Sequence, residues 1–455
     1  GSMKKILSIA LVALLAASTV FAGFSGSATL GLGYDFETGK YGFSNSNKFD
    51  LNLDLATADA EKVAEGDVYA SIKASIAAKL VDGDDKTTKF DTFVIDGISS
   101  KLAVVAKLDE AKVAGADWYV SIKGVTSVND FAKSAIDKKT VKNDTDDFGF
   151  TLDDYKEALT YKVAYTKLPG FEAGYKGYVA AAGFEGYTDK GQVAQTTPVT
   201  ENTFGYTLNV KTPEYNFDVV TLQVGAEASK ANTLNTKTYS NVGASAKVGF
   251  DADAVSGFVA ADTGFENLGK DDWKFEDNFN VDVAAKLAIS PVTVDAYYAR
   301  IANDDAKTEN LLSAQVAVDL NAFDVPVAFT FTGKDLVNKQ DLSVKAAFDI
   351  TEELSADASV GYVIDTKKLS TSANIAYTAD AFTAKAGLGY GLTVDTEKSN
   401  YLTASASIES AAVIPGAVLK AEYKAGDKDM NLLSGQDNGR AKNYGKIVTS
   451  CKIAF

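Results

Sequence analysis

The feature that most narrows the fold is a period of two. Val281, Val283, Ala285, Leu287 and Ile289 alternate with Asp282, Ala284, Lys286 and Ala288, and Leu312 to Leu320 repeats the pattern around Ser313, Gln315, Ala317 and Asp319. The segments 342–350 and 382–390 do the same. A period of two places one residue class on one face of a strand. Each run is about as long as a strand needs to be to cross a bilayer, while carrying apolar residues on one side only.

The connections alternate as well. Short ones fall near 57–66, 109–115, 168–171, 212–216, 250–254, 289–292, 320–324, 349–354, 378–381 and 410–416. Longer polar ones fall near 82–92, 127–157, 188–202, 231–238, 263–277, 301–310, 333–340, 364–369, 391–400 and 425–443. Short turns at one end and longer loops at the other belong to an up-and-down transmembrane β-barrel, and a soluble Greek-key sandwich has no reason to keep that rhythm. The expectation is therefore an all-β fold, a large antiparallel barrel of about 22 strands, with any even count from 16 to 24 admissible. The stretch 127–157 is the least regular and is expected to be a large surface loop, a loop folded inward to constrict a channel, or part of a separate non-barrel segment. A near repeat links Lys62–Lys73 to Lys112–Lys123, identical at 8 of 12 positions, and reads as a duplicated hairpin unit.

Composition supports a half-apolar strand. Glycine is plentiful at 36, proline scarce at 6, and no long apolar stretch follows the start of the chain. Scarce proline suits long ladders, because proline removes a donor. Gly1 and Ser2 read as a cloning scar. Lys4 and Lys5, the apolar run Ile6–Ala17 and the small-residue site Val20-Phe21-Ala22 read as a cleaved export signal over 3–22, leaving 23–455 as the barrel.

Function is narrowed by what is missing. The chain has no histidine, which removes every Ser-His-Asp, Cys-His and His-ligated zinc arrangement. Cys451 is the only cysteine and reads as a small apolar residue of the last strand. No Gly-rich phosphate loop is present, and the acidic Asp82-Gly83-Asp84-Asp85 reads as a solvated turn. No enzyme activity, cofactor or metal is called for. A formal net charge of −16 argues against nucleic acid as a partner.

The polar face offers candidate pore-lining residues. The acids are Asp282, Asp295, Asp319, Asp349, Asp357, Glu409 and Glu422, and the bases are Lys286, Lys345, Lys385 and Lys420. Seven acids against four bases predict mild cation preference, with ordinary solvated charges as the plainer alternative. Aromatic residues end strands on the apolar face, as membrane-interface belts do. Tyr298, Phe331, Tyr362, Tyr390 and Tyr423 lie on the long-loop side, and Phe348, Tyr377, Phe382 and Phe455 on the short-turn side. Phe455, after Ile447, Thr449, Cys451 and Ile453, also has the form of a terminal signal read by outer-membrane assembly machinery.

Through the leader Met3-Lys4-Lys5-Ile6-Leu7-Ser8-Ile9-Ala10-Leu11-Val12-Ala13, the Ala-rich acidic strands through Asp380 and the terminal Phe455, the chain resembles the spirochaete major outer sheath protein family or a porin close to it. The resemblance covers the mature chain in overall character and transfers no site residue. It implies an abundant surface protein with channel-forming activity and adhesion to host matrix proteins. It also implies an N-terminal portion outside the barrel, in conflict with the strand tally. The leading expectation is an outer-membrane porin, embedded in lipid and homotrimeric, passing small hydrophilic solutes by diffusion. The alternative is a structural or adhesive surface-layer protein whose contacts lie on loops 127–157 and 425–443.

Overall fold

The computed structural model describes residues 21–36, 39–43, 48–56, 68–81, 101–125, 131–132, 168–185, 204–230, 237–302, 308–394, 400–425 and 444–455, with two short pieces at 430–431 and 441–442. These residues form one closed antiparallel barrel. Its strands are β1 (Phe21–Asp35), β2 (Lys40–Phe43 and Lys48–Ala56), β3 (Tyr69–Val81), β4 (Lys101–Ala114), β5 (Trp118–Val125), β6 (Leu168–Tyr175), β7 (Tyr178–Glu185) and β8 (Gly205–Lys211 and Tyr215–Phe217). There follow β9 (Val220–Lys230), β10 (Ser240–Ala252), β11 (Val255–Leu268), β12 (Phe279–Ile289), β13 (Val292–Ile301), β14 (Glu309–Asp319) and β15 (Val327–Lys334). The last are β16 (Asp341–Asp349), β17 (Leu354–Val363), β18 (Lys368–Thr378), β19 (Thr383–Thr393), β20 (Tyr401–Ile414), β21 (Ala417–Ala425) and β22 (Lys446–Ala454).

The main sheet has 24 hydrogen-bonded segments, but two pairs of them are single strands interrupted once. Both parts of β2 pair with β1, and both parts of β8 pair with β9. Counting each pair as one strand leaves 22, the expected number. The ladder closes where β1 meets β22, from Ser27 opposite Ala454 to Asp35 opposite Lys446. Closure matters because an open edge would expose a row of unpaired N–H and C=O groups. The N-terminal strands are full members of this ladder, so the N-terminal portion is not outside the barrel. β1 begins at Phe21, two residues before the expected cleavage point, and residues 1–20 lie outside the described residues.

Turn chemistry explains the tight end. Two-residue turns at Lys176-Gly177, Asp218-Val219, Asp253-Ala254, Ser290-Pro291 and Pro415-Gly416 all lie on one side. Lys176 and Gly177 both have positive φ (48° and 85°), the geometry whose twist matches the flanking strands. Two expected turns were misplaced. Leu168-Pro169-Gly170 begins β6 instead of turning, because a proline near a strand's first residue loses little, and the turn comes at 176–177. Thr212-Pro213-Glu214 is the interruption inside β8, and the turn comes at 218–219. The turn expected at 109–115 sits at 115–117, after β4. The second copy of the repeat spans that turn and continues up β5, while β3 carries the end of the first copy, with β4 between them.

The register carries the alternation around the whole circumference. One face presents Leu30, Ile72, Ile122, Phe171, Leu208, Val248, Val259, Leu287, Leu312, Phe331, Val344, Val360, Leu388 and Ile453, all substantially exposed. The middle of that face is rich in alanine, with Ala285 beside Ala296, Ala296 beside Ala314, Ala346 beside Ala358, Ala358 beside Ala373, and Ala386 beside Ala406. The other face is polar. No helix among the described residues is long and apolar enough to cross a membrane; crossing, where it occurs, is by strands.

Neighbouring positions on one strand test the assignment of faces. Ala346→Arg, on the apolar face, is expected to cost about 2–4 kcal/mol when the barrel is unfolded by urea from lipid vesicles. Ala347→Arg, on the polar face opposite Asp357, is expected to change stability by no more than about 1 kcal/mol. Equal penalties would mean that the faces are wrongly assigned.

Candidate functional site

All eleven sequence-chosen wall residues fall on the polar face, as the pairings Lys286–Asp295, Asp357–Asn374, Lys385–Ser407 and Glu409–Lys420 carry it from strand to strand. They do not have one environment. Lys286, Lys345, Asp357, Lys385, Lys420 and Glu422 stand on the open wall. Asp319, Asp349 and Glu409 sit at or near strand feet beside the short turns. Asp319 ends β14, and its carboxylate accepts from Asn321 N at 3.0 Å and Asn321 Nδ2 at 2.8 Å, capping the one-turn 3-10 helix Leu320–Phe323. Asp282 and Asp295, expected to line water, are instead 1% and 3% exposed. A carboxylate is left that dry only when other groups satisfy it. The Tyr297 hydroxyl donates to Asp282 Oδ2 at 3.1 Å.

What covers this part of the wall is in part visible. Phe131 and Ala132 belong to the long connection between β5 and β6, yet they lie on the polar face of β11–β14. Phe131 N donates to both oxygens of Asp262, at 3.2 and 3.1 Å, and Ala132 N donates to Asp262 Oδ2 at 2.7 Å. Ala132 packs with Ala260, Ala284, Tyr297, Ala299 and Leu311, flanked by Phe131, Phe258 and Ile301. β5 and β11 are six strands apart, roughly 29 Å along the wall. The six residues from Val125 to Phe131 reach about 21 Å at full extension. A line through the interior is shorter than the way along the wall, which fits the Asp262 face being the inner one.

Burial along β12–β14 is graded. Toward the long loops, Asn280, Asp282, Ala284, Tyr297, Ala299, Leu311 and Ser313 are buried; at mid-height Asp295 is still buried between exposed Lys286 and half-buried Gln315, and Asp319 at the strand foot is exposed. The lumen is therefore narrowed in its long-loop half on this side. The rest of 127–157 lies outside the described residues, as does most of 425–443.

The open wall is built of neutralised pairs. Lys123 Nζ reaches Glu172 Oε1 at 2.7 Å, Lys345 reaches Asp357 at 3.7 Å, and Lys420 and Lys424 flank Glu422. Asn374 Nδ2 donates to Asp357 at 3.0 Å, and Ser359 and Ser372 hydroxyls meet at 2.6 Å. Tyr119 lies across Gly174, where a Cβ would collide with the ring, and its hydroxyl donates to Glu172 at 2.7 Å. On β2 to β11 the wall adds Asp50, Asp54, Glu110, Glu172 and Glu227 against Lys48, Lys73, Lys112, Lys123, Lys211 and Lys247, with Asp262 on the same face but buried. Farther round, Lys334 opposite Asp341, Lys368, Lys424, Lys446 and Lys452 share the face. With Asp282 and Asp295 buried, the acid excess counted in the C-terminal strands does not hold among the described wall residues.

Acid excess appears at the rim instead. The described short turns carry Asp117, Asp218, Asp253, Asp324, Glu352, Glu353 and Asp380, all exposed, with Lys176 as their one base among the described residues. The described long-loop side is mixed, with Lys270, Asp271, Asp272, Lys274, Glu276 and Asp277 in one connection.

The aromatic expectations fall on the outer face. Tyr298, Phe331, Tyr362, Tyr390 and Tyr423 lie toward the long loops, and Phe348, Tyr377, Phe382 and Phe455 lie on the same face. Tyr298 donates to Asn310 at 2.8 Å, Tyr423 donates to Tyr444 O at 2.9 Å, and the Tyr377 and Phe382 rings meet at a tilt, 5.8 Å apart. Arg300, on the outer face at the long-loop rim, folds back onto the Phe279 and Glu276 carbonyls and the Phe279 ring. Phe455 exchanges backbone hydrogen bonds with Gly26 at the seam, 2.7 and 3.0 Å.

No protein-family model and no curated protein matches the chain. Solved structures that it resembles include the P pilus usher (PapC) translocation pore, with 8% identity, TM-score 0.44, 95% of this chain and 99% of that one covered. A point mutant of the ferric enterobactin receptor (PfeA) from Pseudomonas aeruginosa aligns at 10% identity and TM-score 0.48, covering 96% and 81%. A porin mutant from Rh. blastica aligns at 11% identity and TM-score 0.30, covering 96% and 100%. Superpositions this loose leave the barrel assignment resting on the closed ladder.

Thiol labelling separates open from covered wall. In a Cys451→Ser background, Lys286→Cys and Lys385→Cys are expected to react with a bulky, membrane-impermeant maleimide, and Asp295→Cys to stay protected until the protein is denatured. Equal reaction at all three sites would contradict the graded burial.

Proposed function

We propose that this protein is an outer-membrane pore that passes small hydrophilic solutes by diffusion. The observation that carries the reading is the closed 22-strand ladder with a continuous, ion-paired polar wall inside and a large-residue apolar face outside. A barrel of this strand number is too wide for wall side chains to fill, so water occupies what the chain itself does not. The outer face suits hydrocarbon, with tyrosines and phenylalanines at interface depth. A wall whose described charges are largely paired suits neutral solutes and small ions alike.

We place the mild cation preference at the short-turn rim rather than along the wall. Exposed acids around a mouth raise the local cation concentration, an effect that salt screens. Phe455, paired to Gly26 at the seam, is the residue by which assembly machinery would take up the last strand.

Planar-bilayer recording of the refolded protein tests the reading. Discrete steps are expected, with a small reversal potential of cation-preferring sign that shrinks as salt is raised. Replacing Asp218, Asp253, Asp324 and Asp380 by Asn is expected to bring that potential toward zero, while Asp357→Asn leaves it nearly unchanged. Silence from a protein shown to be folded in the bilayer would overturn the pore reading. Selectivity that followed Asp357 and ignored the rim would move its origin back to the wall. In cells, deleting Phe455 is expected to lower the amount of folded barrel in the outer membrane without changing synthesis.

A further inference from the structure

We propose that Asp262 is a positioning residue that sets the size cut-off of the lumen by holding the Phe131–Ala132 segment against the inner wall. The inference rests on the pore reading for its consequence, and on geometry of its own for the contact. Two consecutive backbone N–H groups converge on a single carboxylate. Convergent N–H groups of this kind form an anion-binding nest, and their bonds to a charged acceptor are roughly twice as strong as those to a neutral one. The carboxylate lies in a dry setting, 4% exposed, where such bonds are not diluted by water.

The floor beneath the segment is fitted to it. Ala260 and Ala284 are cross-strand partners on β11 and β12, Ala299 of β13 stands opposite Asp282 and diagonal to Ala284, and the small methyl groups of the three leave the depth that Phe131 and Ala132 occupy. Elsewhere the inner wall at this height carries larger or charged groups, such as Lys247 beside Ala260. Phe131 and Ala132 are not part of the ladder, so side-chain packing and the Asp262 bonds are the contacts that the structure shows holding them inward. A group held well inside a wide barrel takes cross-section from it, and the residue that holds it governs what passes.

Three variants in the refolded full chain test this, with retarded or advanced gel migration before and after heating used to confirm that each barrel is folded. Asp262→Ala removes both acceptor oxygens and is expected to raise single-channel conductance and admit larger oligosaccharides in vesicle swelling. Asp262→Asn keeps one acceptor oxygen and is expected to fall between it and the parent. Ala284→Leu adds bulk to the floor without touching the carboxylate and is expected to act in the same direction as Asp262→Ala. A second readout is independent of conduction. In a Cys451→Ser background, Ala260→Cys is expected to resist a membrane-impermeant thiol reagent, and to react once Asp262→Ala is added. Folded variants with parental conductance, cut-off and labelling would overturn the proposal. Changed labelling in a protein that never conducts would support the anchoring role and reject the pore reading alone.

Discussion

The structure depends on one constraint: a backbone N–H or C=O withheld from water without a partner costs several kcal/mol. A barrel meets it only by closing. The seam between β1 and β22 therefore governs the rest, since without it two strands would each present a bare edge. Closure with both strand ends on the short-turn side requires an even count, and 22 satisfies it. Interruptions are confined to places where the ladder tolerates them, in β2 and β8 near a strand end and at Pro213.

Closure then divides the side chains. A strand has no third face, so every residue goes to the outer face or the lumen, and the two populations can be tuned independently. Outside, alanine fills the middle and aromatic residues the ends, with polar outliers such as Asn310 and Arg300 satisfied at the rim by Tyr298 and by main-chain carbonyls. Inside, lysine and carboxylate alternate across strands, and pairs such as Lys123–Glu172 and Lys345–Asp357 leave the wall polar without strong charge. Such half-exposed pairs contribute modestly to stability. Their effect is to keep the wall wet and free of a dominant sign.

Much of this was legible in the sequence, because period-two alternation and loop rhythm are local. The runs at Val281–Ile289 and Leu342–Ile350 fell on the faces they indicated. Proline misled at Leu168-Pro169-Gly170 and at Thr212-Pro213-Glu214, where a breaker residue marked a strand's start and an interruption rather than a turn. The turn at Lys176-Gly177 was missed because lysine is an ordinary residue there, accommodated at positive φ by the hairpin. Asp282 and Asp295 were placed on the right face but given the wrong surroundings. The contact seen on this wall is made to nearby Asp262 by a segment some 130 residues earlier in the chain, and no local pattern announces a tertiary contact of that kind. The charge balance was misjudged for a related reason: counting the cleanly patterned strands sampled only part of a wall that closes on itself.

The seam has a consequence in time. Ser27 finds Ala454 only after more than four hundred intervening residues have been made and delivered, so β1 waits with a bare edge while the other strands are laid down. Such long-range pairing is slow, and it leaves the incomplete sheet open to wrong partners. A chain that stops short of Lys446 keeps two open edges however well its remaining hairpins form. The residues that pair with β1 thus do two things at once: they complete the circle, and they cover the two edges through which an unclosed sheet would join a wrong partner.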